Sequence, residues 1–267
     1  MKERVELLAI PTRVAHAGHD EHRYCGALLF EDLAGHESYT GLLALAVTGR
    51  RVSPEVCAVL DDVSCVSTVA DPRIWPFKLT RVVAEFGSTQ SAIAAGNLCL
   101  EEALIGPSAC RTVAELLSNL SRDVGERAGD RAAVEAALLA RVGREGIPPG
   151  WGVPFRDHDE RLEALGVCLR RRGRTGLRYW ALMERAVEAL RQSRRLKPNI
   201  TLGVSAAYLD LGFAPHEVVP LITALVQTVF VANAVEAARQ APSVLRRLPD
   251  RAIDYVGKKP RASPRSG

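Results

Sequence analysis

No two cysteines in this 267-residue chain are spaced as C-x-x-C, and the six present (Cys25, Cys57, Cys65, Cys99, Cys110, Cys168) show no zinc-ligand spacing. A zinc ribbon or a dithiol redox motif is thereby excluded. No secretory leader is expected either: the only apolar run near the start, Leu7 to Ile10, is too short for a signal h-region. Reduced thiols in a cytoplasmic protein are the expectation. No stretch alternates apolar and polar residues between hairpin turns, which speaks against an extensive sheet. No repeat of solenoid period recurs. There is little excess of one charge either. Lys plus Arg number 35 against 31 Asp plus Glu, and the last ten residues hold Lys258, Lys259, Arg261 and Arg265 with no acid. Without that segment the chain is neutral, so its pI near 8.8 is no argument for a nucleic-acid partner. Residues 258–267 read as a disordered basic tail.

What is present is helical periodicity. Val113, Leu116, Leu117 and Leu120 fall at i, i+3, i+4 and i+7, and Trp180, Met183, Val187 and Leu190 repeat the stripe. Val218, Leu221, Ile222 and Leu225 do so again. Start signals agree. Ser53-Pro54-Glu55 offers an N-cap, a proline at the first helical position and an acid in the first turn, and Ala214-Pro215-His216-Glu217 places proline and glutamate alike. The fold class is therefore all-α. The longest apolar stretch, Val218 to Val235, is interrupted by Gln227 and Asn233 and reads as a buried core helix rather than a membrane span.

Two shifts in composition organise the chain. Gly146 to Pro154 is too rich in glycine and proline to be helical and reads as a loop. Arg161 to Lys197 carries eleven basic residues against three acids, densest at Arg170, Arg171, Arg172 and Arg174.

A set of motifs then resembles the citrate synthase and citryl-CoA lyase family. Lys197-Pro198-Asn199-Ile200-Thr201, followed by Leu209-Asp210-Leu211-Gly212-Phe213, is similar to the family's "PNVD…LGF" segment. Pro149-Gly150-Trp151-Gly152-Val153-Pro154 resembles its "PGFGHP" loop, with Asp159-Glu160-Arg161 where "DPR" follows. Tyr24-Cys25-Gly26 with Glu31-Asp32-Leu33-Ala34, Ser91 to Gly96 with Gly106, and Asp254-Tyr255-Val256-Gly257 match further segments in order. The resemblance implies an all-helical citrate synthase-like subunit, shortened at its N-terminal part, that works as a homodimer on a coenzyme A thioester. It also implies a large domain from 1–111 and 198–257, with a small helical domain, 112–197, inserted between.

In that family a carboxylate removes a proton beside the thioester while histidines polarise the carbonyls, a pairing that enolate chemistry requires. Here the departures are systematic. The aspartate position is Thr201, the histidine of the loop is Val153, "DHE" becomes Asp71-Pro72-Arg73, and Gly106-Pro107-Ser108-Ala109-Cys110 holds no histidine. The usual citrate synthase reaction is not expected.

Substitutes are available in the sequence. Asp157 or His158 can be read as a base, and Asp157-His158-Asp159 equally as a polar loop capping the helix that begins near Glu160. Arg73, Arg156 and Arg239, beside Gly150, Trp151 and Gly152 and near Thr201, read either as a substrate pocket for a carboxylate or phosphate or as arginines paired with local acids. Arg170, Arg171, Arg172 and Arg174 suit the phosphates of coenzyme A, or else form a solvated turn between helices. Cys110 reads as a buried small residue. His16, His19 and His22 are spaced to meet on a helix face, yet Gly18 among them favours solvent-facing loop histidines, so no metal is assigned.

Two functions follow. One is carbon–carbon bond formation or cleavage on an acyl-CoA with substituted residues. The other is a non-catalytic protein, a pseudoenzyme that binds an acyl-CoA, a carboxylate or a partner protein. Both take a soluble homodimer with no tightly bound cofactor, no nucleic-acid partner and no membrane partner.

Overall fold

The computed structural model describes residues 11–102, 106–153, 157–240 and 249–258. A three-stranded antiparallel sheet opens the chain: β1 (Ala15–Ala17), β2 (His22–Tyr24) and β3 (Ala27–Leu28), with His16 opposite Arg23 and Tyr24 opposite Ala27. Strands of two and three residues leave no alternation for a sequence pattern to detect. A single π-turn, Leu29–Leu33, follows.

Helices form the rest. They are α1 (Tyr39–Thr48), α2 (Pro54–Ser67), α3 (Trp75–Ala84), α4 (Thr89–Glu102), α5 (Ser108–Val124) and α6 (Arg131–Glu145). After the glycine loop come α7 (Glu160–Arg171), α8 (Arg178–Arg194), α9 (Ile200–Asp210), α10 (Pro215–Leu225) and α11 (Gln227–Ala237). The all-α reading stands. Start signals act as read: the Ser53 hydroxyl accepts from Val56 N–H, and Glu217 Oε2 accepts from Ala214 N–H at 2.8 Å.

Helix α5 is the spine. Val113, Leu116, Leu117 and Leu120 are buried and belong to one core shared with α1, α2 and α6 to α10. Trp180, Met183 and Leu190 of α8 and Val218, Leu221, Ile222 and Leu225 of α10 join it, while Val187 stays half-buried. Each fully buried leucine contributes about 1.5–3 kcal/mol by leaving water. Smaller apolar clusters tie α11 to α3 and α4 through Phe77, Ala84, Ala92, Phe230 and Ala234.

The stretch read as one helix is two. Helices α10 and α11 break at Val226, where side chains take carbonyls that the backbone would use: Gln227 Nε2 donates to Thr223 O at 2.6 Å, and Ser64 Oγ donates to Leu225 O at 2.9 Å. Among the described residues, Pro215–Ala237 is the one segment whose length and apolar composition would suffice to cross a membrane. It buries Val218, Leu221, Ile222, Leu225, Val229 and Phe230 against the protein.

Candidate functional site

The glycine loop is held against the start of α9. Gly152 N–H donates to Lys197 O at 2.7 Å, and Asn199 N–H donates to Gly150 O at 2.8 Å. The Asn199 side-chain amide donates to Gly152 O at 3.0 Å, and Trp151 bridges to Pro198. Asn199 also caps α9 by accepting from Thr201 N–H at 3.0 Å. Two segments separated by more than forty residues are thus stapled by one asparagine, and the frame brings Val153 and Thr201 to neighbouring backbone segments.

The loop glycines differ in what they do. Gly150 has φ +98°, and a Cβ there would lie 2.8 Å from Leu202 Cγ, so both backbone and packing demand glycine. It faces the core. Gly152, at φ +104°, meets nothing within 4 Å and is the open position. Trp151 is a core residue, 8% exposed, and its indole N–H has no hydrogen-bond partner.

A second tie comes from Asp159. This buried carboxylate caps α7 by accepting from Arg161 N–H, takes Arg161 Nε at 2.8 Å and Nη2 at 2.7 Å, and reaches Ile200 N–H of α9 at 2.9 Å. Burial alone would raise its pKa. The Arg161 and Ile200 hydrogen bonds and the Arg161 charge outweigh that, holding it below the ordinary carboxylate value. Asp210, at the other end of α9, accepts from Tyr179 and Trp180 N–H at 2.8 Å each, capping α8; there burial wins and its pKa is raised.

The candidate acid–base pair is differently placed. Asp157 is fully exposed and meets Lys197 Nζ at 3.4 Å, and His158 is exposed with Glu163 at 3.9 Å. Neither is enclosed. Of the three arginines read as one pocket, two lie among the described residues. Arg73 is 88% exposed and spent on Asp71, with Nη2 at 2.5 Å, while Arg156 lies outside the described residues, as does Pro154. Arg239 lines a separate groove, described next, that none of the loop residues touches. Of the basic cluster, Arg172 bonds Asp62 across α7 and α2 at 2.5 Å, Arg170 and Arg171 are exposed at the α7 C-terminus, and Arg174 is half-buried. Opposite charge at a helix C-terminus suits the dipole without any ligand. His16 and His22 stand on strands of the opening sheet and His19 in its turn, so no helix face joins them. Cys110 is buried, with its pKa pushed up to about 12 by desolvation, partly offset by Ser205.

The groove escaped the sequence reading, apart from Arg239. It measures about 830 Å³ and is lined by residues of α1, α2, α10 and α11, including Tyr39, Asp61, Leu225, Val231 and Val235. Only a tertiary arrangement joins these helices, so no local motif announces it.

The chain's sequence matches no family model and no curated protein. Solved structures do match. Citryl-CoA lyase from Hydrogenobacter thermophilus is 19% identical with a TM-score of 0.75, over 96% of this chain and 97% of that one. ATP citrate lyase from Methanothrix soehngenii, solved in complex with citrate and coenzyme A, is 16% identical with a TM-score of 0.71, over 96% of this chain and 44% of that one. Citrate synthase from Thermotoga maritima is 17% identical with a TM-score of 0.59, over 85% and 59%. The chain has the citrate synthase-like fold. The shortening expected from sequence holds against citrate synthase and not against the lyase, which the match spans almost end to end.

Proposed function

We propose that this chain, built on the fold of citryl-CoA lyase, binds an acyl-CoA thioester or a carboxylate without the enolate chemistry of a citrate synthase. One observation carries the reading. The stapled frame of Gly150–Val153 and Lys197–Thr201 is intact, while the positions that the family resemblance gives to base and electrophile hold Thr201 and Val153. A threonine hydroxyl does not abstract a proton near neutral pH, and a valine donates nothing to a developing oxyanion. Asp157 and His158, the substitutes, are both exposed, outside any enclosure that excludes water from a reacting centre.

The reading includes a soluble cytoplasmic homodimer, for which the exposed Leu98 face of α4 is available. It includes no tightly held cofactor, no metal and no nucleic-acid or membrane partner. A second reading, bond formation or cleavage with Asp157 as base, draws on one contact: Lys197 holds Asp157 beside the segment that leads into Thr201.

Thermal-shift titration with acetyl-CoA, free coenzyme A and citrate tests the binding. Ligand at one hundred times its Kd adds about 2.7 kcal/mol of stability. A rise in melting temperature with at least one of them is expected, and no rise with any overturns the reading. Release of acetyl-CoA from citryl-CoA, abolished by Asp157→Asn, would establish the second reading in its place.

A further inference from the structure

The groove between α1, α2 and α11 is lined by polar groups whose bonding is almost wholly internal. The Thr40 hydroxyl donates to Asp61 Oδ1, and Ser64 Oγ donates to Leu225 O at 2.9 Å. Gln227 pairs reciprocally with Asn97 of α4, both bonds at 2.9 Å. Arg81 takes Glu236, and its other nitrogen donates to Gln240 Oε1 at 2.8 Å. Both acids that line the groove are therefore engaged. What remains is a mostly apolar strip that carries the Tyr39 and Thr228 hydroxyls and a single cation.

The strip is helical in register. Thr228, Val231, Ala232 and Val235 lie one turn apart along α11, and Val231 and Val235 are 44% and 37% exposed. Tyr39, 73% exposed, and Leu225 complete the apolar wall. From Thr228 to Ala237 the helix runs about 13 Å at 1.5 Å per residue. Arg239 follows in the turn just beyond, exposed and with no acid paired to it among the described residues.

We infer that this groove binds a linear amphiphile with one anionic head, a fatty carboxylate, laid along α11 with its head at Arg239. Charge complementarity selects the class. An apolar chain matches a wall whose acids and amides are satisfied internally, and a guanidinium fork suits a carboxylate. A cation would meet the Arg239 charge, and a compact polyanion such as citrate would leave the apolar wall uncovered. The site is separate from the glycine loop, so it stands whether or not an acyl-CoA binds there.

Isothermal titration with dodecanoate and with dodecanol, well below their critical concentrations, tests it. Saturable binding of one dodecanoate per chain is expected. Arg239→Gln should weaken dodecanoate roughly tenfold, the usual scale for one charged hydrogen bond, and leave dodecanol unchanged. Val231→Asp should abolish both. These side chains are exposed, so each variant should keep the parent melting temperature, which confirms folding. Unsaturable binding, equal loss of both ligands in Arg239→Gln, or no binding because a second copy covers the groove would each overturn the inference.

Discussion

Replacing Asp159 by alanine probes the joint that fixes the glycine loop to the helices. The carboxylate accepts four hydrogen bonds, three from Arg161 and one from Ile200, and its own side chain is almost wholly removed from solvent. Loss of a helix N-cap costs about 1 kcal/mol. Breaking a buried ion pair costs about 3–5 kcal/mol when the surviving charge stays buried. The Arg161 side chain is 35% exposed and can rehydrate, which discounts that figure. Together these give about 2–4 kcal/mol for Asp159→Ala. Asp159→Asn retains an acceptor for the caps and should lose about half as much.

At about 2–4 °C per kcal/mol for a chain of this size, Asp159→Ala should melt about 5–15 °C lower at neutral pH. The sign with pH follows from the depressed carboxylate pKa. A group held below its unfolded value near 3.9 stabilises the fold above that pH, and the contribution is lost as pH falls through the folded value. The gap between parent and Asp159→Ala should therefore be constant from pH 8 to about pH 5 and close in acid. Differential scanning calorimetry across that range is the assay. A gap under 1 °C at neutral pH, or one that widens on acidification, would refute the assignment of Asp159 as an ionised joint.

Three further outcomes follow from the same geometry. Gly150→Ala should cost about 2–4 kcal/mol in urea unfolding, since positive φ and the Leu202 contact both oppose a side chain, whereas Gly152→Ala should cost only about 1 kcal/mol of backbone strain. Cys110, buried and with its thiol pKa near 12, should resist a thiol reagent at pH 8 until the protein unfolds, while the exposed Cys65 reacts at once, as quantified by mass spectrometry. A double-mutant cycle on Asp62 and Arg172 should give a coupling of about 1 kcal/mol, because the Arg172 side chain, more than a third exposed, can rehydrate despite its two hydrogen bonds.

The helices were legible because their stripes are local: Val113 to Leu120 and Val218 to Leu225 each declare a buried face within eight residues. The stapled pair of motifs was legible only through family resemblance, since no periodicity connects Gly150 with Asn199. The break at Val226 was hidden for a different reason. Gln227 registers in sequence as a polar interruption and itself takes the Thr223 carbonyl, but the capture of the Leu225 carbonyl depends on Ser64 arriving from α2. Convergence of Arg73, Arg156 and Arg239 is not legible in sequence, because residue type carries no direction. Arg73 has its acid two residues away, and Arg239 lies in the turn after a helix that packs with α3, α4 and α10.

Asp157 and Asp159 show how far such reasoning reaches. They are two residues apart in one polar run that the sequence offers as a helix cap, with Asp157 also a candidate base. Extended backbone at Asp159 turns its side chain back onto the α7 N-terminus and against the first N–H of α9. Asp157, one step outside that turn, is left in water with Lys197. The fold thus spends its buried carboxylate on structure and exposes the free one. A base needs an open lone pair and a pKa raised toward neutrality. Asp159 has its oxygens occupied and its pKa lowered, so it meets neither condition. If carbon–carbon chemistry is ever detected here, its pH profile should lack the Asp159 carboxylate and respond to Asp157→Asn alone. A profile moved by Asp159→Asn in a variant that melts like the parent would mean that the joint, rather than the exposed acid, carries the proton.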